Sequence, residues 1–185
     1  MSKKPTTLIV GLGNPGRKYE FTRHNVGFRV MQRLREELGL PQFEKEVPLY
    51  SERTSGTVDG QEIVLGRSLT YMNDSGHAVE KLKSAHKVHP RRVWIIHDDK
   101  DLELGDMRVK QGGSAAGHHG VESVEEMLKT KNFTRYRLGV MTPAGKKIPA
   151  EKFVIGKFLP EEEPAVRNMV DRAAQQLIED LEIQL

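Results

Sequence analysis

The first strand, turn and helix of this chain constrain its fold more than any other segment. Residues 6–10 (Thr-Thr-Leu-Ile-Val) indicate a buried β-strand, and a glycine-rich turn, Gly11–Gly16, follows before a helical repeat begins. This order places Asn14 at the carboxyl end of a strand and His24 at the start of the next helix. Ligands usually bind at that edge of an α/β sheet, so the segment predicts a polar site there.

The glycines of Gly11–Gly16 also fit the dinucleotide-binding pattern G-x-G-x-x-G, but their surroundings disfavour it. A dinucleotide fold needs a helix that opens at the third glycine and an acidic residue at the end of a second strand, about 20 residues further on. Here Pro15 forces Asn14 out of the α region, as in a turn. The segment that reaches Glu36 has helical rather than strand periodicity. We therefore do not expect a nucleotide cofactor.

Composition predicts one domain over residues 1–185. A chain of 185 residues with 37% hydrophobic content can bury a sizeable core. No apolar run approaches the roughly 20 residues of a membrane span, and residues 1–4 lead into the first strand without an apolar signal segment. We expect an unexported, cytoplasmic protein without a membrane partner. The chain has no cysteine, which excludes disulfides, thiolate catalysis and cysteine metal sites.

Charge is unevenly distributed although the net charge is only +3. Between residues 129 and 157 one acid stands against eight basic residues: Lys129, Lys131, Arg135, Arg137, Lys146, Lys147, Lys152 and Lys157. Residues 158–185 hold seven acids and two arginines. Such a run can form an ordinary solvated surface, or it can form a binding surface for the phosphates of a nucleic acid. Both explanations stay open at this stage.

Strand and helix signals alternate along the chain, and we find no repeats or linkers. The predicted elements are a helix capped by Asn25 and ended by Gly39, strands 51–58 and 61–65 around an Asp59-Gly60 hairpin turn, a helix capped by Ser75, an apolar strand 93–96, a strand near 107–110, a glycine-rich loop 112–120, a helix 121–129, a strand 135–140, a loop 141–150 and a final helix with an apolar stripe from Val166 to Leu181. They predict a single α/β domain with a mixed, largely parallel twisted sheet between helices.

Three side chains form the candidate catalytic site. The apolar strand 93–96 delivers Asp98 to its carboxyl end, where Asn14 and His24 are also expected. A histidine with a carboxylate is the minimum for general-base catalysis on water. No nucleophile motif is present, so attack by activated water is favoured over a covalent route. The amides of Asn14 and Asn73 could donate to an oxyanion. The competing interpretation of His24 alone is a buried structural histidine.

Metal catalysis is disfavoured. The histidines of the pair His86 and His89, and the adjacent His118 and His119, lack the H-E-x-x-H spacing of a zinc site. Adjacent histidines in a loop are more often simply polar, and no carboxylate-rich ligand set accompanies them. We expect neither a metal nor another cofactor.

Several motifs resemble one family over nearly the whole chain. Residues 8–16 with Tyr19 and residues 22–27 (Thr-Arg-His-Asn-Val-Gly) are similar to the first signature of the bacterial-type peptidyl-tRNA hydrolases. Residues 69–76 (Leu-Thr-Tyr-Met-Asn-Asp-Ser-Gly) resemble the family's T-F-M-N-x-S-G segment, and residues 97–102 (His-Asp-Asp-Lys-Asp-Leu) resemble its H-D-D-L-D-L segment. Independent motifs in the right order are far more specific than any one of them.

The resemblance implies hydrolysis of the ester between a peptide and the 3′ ribose of tRNA, by a monomer. His24 would be the general base, Asp98 would orient it, and Asn14 would help distinguish blocked from free aminoacyl esters. The implied substrate contacts are Tyr19, Tyr71, Met72 and Asn73 along the channel, His119 at a substrate-binding position, and Arg108, Lys110 and Arg137 near tRNA phosphate. A tyrosine such as Tyr71 can stack on an unpaired base, whereas core packing is the alternative for Tyr71 and the commoner role for Met72.

Departures from the family pattern leave two functions open. His119 stands where the family usually has asparagine, and an imidazole is wider than an amide and can become charged. Lys100, Glu103 and Tyr71 also differ from the usual residues. The first hypothesis is a hydrolase, because Asn14, His24, Asn73 and Asp98 are present. The second is an RNA-binding relative that does not hydrolyse the ester, since fold alone does not decide function.

Overall fold

A computed structural model describes residues 4–184 of the chain. Its elements, in chain order, are β1 (Lys4–Gly11), α1 (Val26–Glu37), β2 (Glu44–Glu46), β3 (Ser51–Val58), β4 (Gln61–Ser68), α2 (Ser75–Ala85), β5 (Val93–Glu103), β6 (Met107–Gln111), α3 (His119–Leu128), β7 (Thr134–Met141), α4 (Ala150–Val154) and α5 (Glu163–Asp180). Short 3₁₀ turns, among them Arg23–Asn25 and Met72–Asp74, connect several of these elements. Strands and helices therefore alternate as the sequence predicted.

One seven-stranded mixed sheet, in the order β2-β3-β4-β1-β5-β7-β6, organises the protein. The four central strands β4, β1, β5 and β7 are parallel, and antiparallel pairings occur at the two sides. Helices α1 and α5 pack on one face, and α2 and α3 pack on the other. The predicted fold class, a mixed sheet between helices, is confirmed. Strand β5 continues past the predicted end at Ile96 to Glu103, and the carboxyl end of β1 pairs with its middle, Gly11 opposite Ile96. The functional side chains were expected where β1 ends beside β5.

Local predictions were confirmed in part. Strands β3 and β4 pair around Asp59 and Gly60, whose φ angles of 47° and 73° are those of a tight hairpin turn. The prediction that Ser75 caps α2 was wrong, because Asp74 holds the cap position and the Ser75 hydroxyl donates to the carbonyl of Met72 at 2.8 Å. Strand β2 and helix α4, which are only three and five residues long, were not predicted from the sequence.

Two glycines let the start of α1 lie directly against the sheet. A Cβ atom on Gly11 would stand 2.6 Å from the carbonyl oxygen of Gly27, and one on Gly27 would stand 2.5 Å from the carbonyl oxygen of Ile96. No side chain fits at such distances, so both positions require glycine. The close approach brings the turn that contains His24 next to the middle of β5, where Asp98 lies.

Arg23 fixes this turn from the other side. Its guanidinium donates to both carboxylate oxygens of Glu162 at 2.9 and 2.7 Å, and also to the carbonyl of Lys157. The rings of Phe153 and Phe158 lie 4.4 and 5.2 Å from the guanidinium carbon. One terminal nitrogen of Arg23 thus contacts both carboxylate oxygens, and this buried ion pair links the His24 turn to the chain that connects α4 with α5.

Candidate active site

A cavity of about 500 Å³ opens at the carboxyl edge of the sheet. Its walls come from the turns after β1, before α1 and before α2, from residues 97–101 of β5, from the loop before α3, and from α4. Its lining includes Asn14, His24, Tyr71, Met72, Asn73, Asp98, Asp99, His118, His119 and Val154. The predicted triplet of Asn14, His24 and Asp98 is therefore brought to one cavity.

Two histidines share one oxygen of Asp98. Nδ1 of His24 and Nε2 of His118 each lie 2.8 Å from Asp98 Oδ1. The Nδ1 atom of His118 accepts a hydrogen bond from the backbone N–H of Val121, so a neutral His118 carries its proton on Nε2 and donates it to Asp98. His24 donates to Asp98 through Nδ1 in the same way. Its Nε2 is then an unprotonated acceptor on a side chain that lines the cavity.

The environment keeps Asp98 ionised. Burial alone would raise the pKa of this carboxyl group, because its side chain is only 2% exposed. The attraction of His24 and His118 and the hydrogen bonds from both rings outweigh burial and hold the pKa of Asp98 well below its ordinary value. A permanently charged carboxylate fixes the tautomer of the histidine that it orients.

His97 is a third imidazole at this site, and it is held neutral. Its ring centroid lies 4.7 Å from that of His118, and its Nδ1 lies 2.7 Å from the carbonyl oxygen of Asp98. Burial disfavours its charged form, and His118 adds to this, so the pKa of His97 is lowered from 6.5 to about 3. Within residues 4–184, its buried Nε2 has no hydrogen-bond partner. His97 therefore does not compete with His24 for a proton near neutral pH.

This neutral histidine predicts a loss of stability in mild acid. The unfolded chain takes up a proton at His97 below about pH 6.5, whereas the folded chain does so only near pH 3, so stability falls as the pH decreases through that window. We expect His97 to contribute up to about 1.4 kcal/mol per pH unit to the slope of the unfolding free energy. Urea titrations between about pH 7 and 4.5 measure this slope, which should be shallower for His97→Phe. Equal slopes in both proteins would contradict the prediction. Burial also lowers the pKa of His86, and this residue contributes equally to the slope of both proteins.

Asn14 is positioned by two neighbours. Its backbone N–H donates to Oδ1 of Asn25 at 2.8 Å, and its carbonyl accepts from Nδ2 of Asn25 at 2.9 Å. The side-chain oxygen of Asn14 accepts from the backbone N–H of Met72 at 2.7 Å, which directs its amide nitrogen away from that bond. Asn25 holds the cap position of α1, as predicted, but its side chain makes no capping hydrogen bond and braces the backbone of Asn14 instead.

The predicted channel residues lie in different places. Asn73 and Tyr71 are exposed at the cavity, with 55% of Tyr71 accessible, whereas Met72 lines the cavity from the buried core beneath. Tyr19 is not among the lining residues; its ring packs edge-on against Tyr71 at 6.3 Å between centroids. His119 lines the cavity mouth, with 78% of its side chain exposed, and its Nδ1 lies 3.1 Å from Glu122.

The basic residues expected near phosphate lie on β6 and β7, beside the cavity rather than in it. Arg108 and Lys110 are exposed on the edge strand β6. Arg137 is half-buried, and its Nε donates to Asp99 Oδ2 at 2.7 Å. Arg135, which the sequence analysis counted in the basic run, is buried and donates to the carbonyls of Gly112 and Ser114. It holds the glycine-rich loop and is not available to a phosphate.

Sequence reasoning missed two parts of the site. It treated His118 as a polar loop residue, although His118 immediately precedes α3 and binds Asp98. It also missed the apolar wall that Val154 and its neighbours on α4 provide. A histidine at the start of a helix, after a glycine-rich loop, was the available signal for His118.

The ligating atoms of His24, Asp98 and His118 lie within 4.8 Å of one another, which is a spacing that a metal ion could bridge. The same atoms are already paired, however, since both rings donate to one carboxylate oxygen. Hydrogen bonding thus satisfies this set without an ion, and the expectation of a metal-free reaction stays a prediction.

Comparison with known proteins identifies the family. The family model described as peptidyl-tRNA hydrolase matches residues 8–184. The chain belongs to the peptidyl-tRNA hydrolase family. The peptidyl-tRNA hydrolase of Aquifex aeolicus is 42% identical over 178 residues, which cover 95% of this chain and 90% of that protein. The peptidyl-tRNA hydrolase of Mycobacterium tuberculosis is 42% identical over 167 residues, covering 90% of this chain and 86% of that protein.

Solved structures agree with this family assignment. A crystal structure of the Acinetobacter baumannii peptidyl-tRNA hydrolase superposes with a TM-score of 0.85 at 32% identity and covers 92% of this chain and 86% of that one. An Arabidopsis thaliana 5′-methylthioadenosine nucleosidase reaches a TM-score of 0.56 at 12% identity, which is a likeness of fold alone. Among residues 4–184, no helix combines the length and apolar character that a bilayer span requires.

Proposed function

We propose that this protein hydrolyses the ester bond between a peptide and the 3′ ribose of tRNA, and so returns the tRNA for reuse. The observation that supports this reaction best is the 2.8 Å bond between His24 and Asp98, with the free Nε2 edge of the histidine on a cavity that Asn14 also lines. An ester is reactive enough for water when a general base and an oxyanion site are present.

In the proposed mechanism, Nε2 of His24 removes a proton from a water molecule as its oxygen attacks the ester carbonyl. Asp98 stabilises the imidazolium that forms. The carbonyl oxygen becomes an oxyanion, for which the amides of Asn14 and Asn73 are the candidate donors. When the intermediate collapses, the bond to the ribose 3′ oxygen breaks, and His24 returns its proton to that oxygen. The products are a tRNA 3′ hydroxyl and a peptide carboxylic acid, which releases its proton to solvent and leaves as the carboxylate.

The surroundings of the cavity match the two parts of this substrate. The wall formed by α4 and the loop before α3 is largely apolar, with Val154 and Ala115 among its residues, and suits a peptide. Tyr71 offers an exposed ring on which an unpaired base can stack. Arg108, Lys110 and Arg137 on the neighbouring strands provide cations for the tRNA backbone. We propose that the protein acts as a cytoplasmic monomer with one domain over residues 1–185.

The test is hydrolysis of an N-acetylated aminoacyl-tRNA by the purified protein, beside the unblocked aminoacyl-tRNA and with a chelator present. We expect rapid release from the blocked substrate alone, at the same rate with and without chelator. Loss of activity on chelation would contradict the metal-free mechanism. No release with tRNA still bound would favour the RNA-binding alternative, and His119→Asn would then show whether the histidine at the cavity mouth is responsible.

A further inference from the structure

Arg137 is hydrogen-bonded along one edge only. Its Nε donates to Oδ2 of Asp99 at 2.7 Å, and within residues 4–184 its two terminal nitrogens make no hydrogen bond. The other oxygen of Asp99 accepts from the backbone N–H of Asp101 at 2.8 Å. Asp99 is buried, with an 8% exposed side chain, so both of its oxygens serve to hold Arg137 and the chain that follows Asp98.

Arg137 lies among other cations, which repel it. In the β6–β7 pair, Arg108 lies directly opposite Arg137, and Lys110 lies directly opposite Arg135. Side chains that are directly opposite project from the same face, and like charges at such positions repel. Arg108 and Lys110 are exposed, and neither forms an ion pair within the part of the chain described by the structure. In that same part, Asp99 is the one acid within salt-bridge distance of any of these three cations, Arg108, Lys110 and Arg137.

We propose that Asp99 is a positioning residue, which holds Arg137 so that the free edge of its guanidinium binds a phosphate of the tRNA backbone. Two parallel N–H groups match two phosphate oxygens, and this geometry requires a fixed guanidinium plane. The bond to Nε restricts the positions that the guanidinium can take and leaves its far edge free. This inference rests on the proposed function, because it names how one part of the tRNA is recognised beside the catalytic strand.

A positioning role for Asp99 and a purely electrostatic effect of its charge predict opposite changes in tRNA affinity for Asp99→Asn. An acid near a phosphate repels it, so charge alone predicts that Asp99→Asn binds tRNA more tightly. If Asp99 positions Arg137, the same variant binds tRNA more weakly, because Arg137 becomes free to turn. Asparagine keeps an oxygen for the N–H of Asp101, and only the acceptor for Arg137 is lost.

The experiment measures kcat and KM of Asp99→Asn on two substrates, an N-acetylated aminoacyl-tRNA and the same ester on a short oligonucleotide with the sequence of the tRNA 3′ end. We expect KM for the full tRNA to rise about tenfold with kcat within twofold, a loss typical of one good phosphate contact. On the short substrate any rise in KM should be clearly smaller, so that the ratio of KM on full tRNA to KM on the short substrate increases severalfold. In an Arg137→Gln background, Asp99→Asn should add no further loss.

The matched control is Asp106→Asn, which removes an equal charge from an exposed residue just before the same basic strand. It should leave KM unchanged or slightly lower. An unchanged or lower KM for Asp99→Asn on full tRNA would overturn the proposal, and so would an equal loss on both substrates. If the wild type released no peptide at all, the proposed function would fail, but tRNA affinities of the same variants would still test the role of Asp99.

Discussion

Replacing His24 with alanine should abolish most turnover without weakening tRNA binding. A positioned general base contributes about 10²–10⁴-fold to rate, and His24 is, among residues 4–184, the one side chain with a free imidazole nitrogen at the cavity and a buried carboxylate behind it. We expect kcat on an N-acetylated aminoacyl-tRNA to fall by about that factor. The dissociation constant for tRNA should stay within about twofold, because the cations on β6 and β7 are untouched.

Binding must be measured over a range of salt concentrations to make this test decisive. The slope of log affinity against log salt reports the number of phosphates neutralised, and it should be equal in the wild type and in His24→Ala. His77→Ala is the matched control, because His77 is exposed on α2 away from the cavity and its loss should change neither rate nor affinity. If affinity and slope collapse in His24→Ala, His24 is a binding residue and not the base.

The sequence predicted the parts of the site that follow from strand order. Asn14 follows the end of β1, His24 lies in the turn before α1, and Asp98 lies on the neighbouring parallel strand β5 two residues beyond its pairing with Gly11, so strand order alone places all three together. His118 was missed because it reaches the site through a glycine-rich loop. The path of that loop depends on Arg135, which binds two of its carbonyls from the interior of the protein. No local pattern indicates such a long-range bond.

The roles of side chains were less predictable than their positions, because the same residue type can form several different hydrogen bonds or ion pairs. Asn25 has the local signature of a helix cap, yet the backbone of Asn14 competes for its amide and is bound instead. Arg135 and Arg137 look alike in a basic run. Burial assigns Arg135 to the loop, and Asp99 engages one edge of Arg137. Such outcomes depend on tertiary neighbours, which composition and periodicity do not reveal.

Asp98→Asn tests whether the carboxylate does more than hold two rings in place. Asparagine has nearly the same shape and can accept one or both N–H groups, so the fold should be retained. It lacks the charge that stabilises the imidazolium and the acceptor-only character that fixes the tautomer of His24. The same change in a serine-protease triad lowers kcat about 10⁴-fold, and we expect a loss of about 10²–10⁴-fold here, with KM nearly unchanged.

A second measurement separates this chemical role from a structural one. Since the pKa of Asp98 lies below its ordinary value, the carboxylate contributes stability above about pH 4, and that contribution is lost as the pH falls further. Unfolding free energies of Asp98→Asn should therefore depend less on pH in that acid range, whereas the loss of kcat should be present at neutral pH. Asp106→Asn should show neither change. Turnover within tenfold of the wild type would show that His24 works without its carboxylate, and the proposed mechanism would then be wrong.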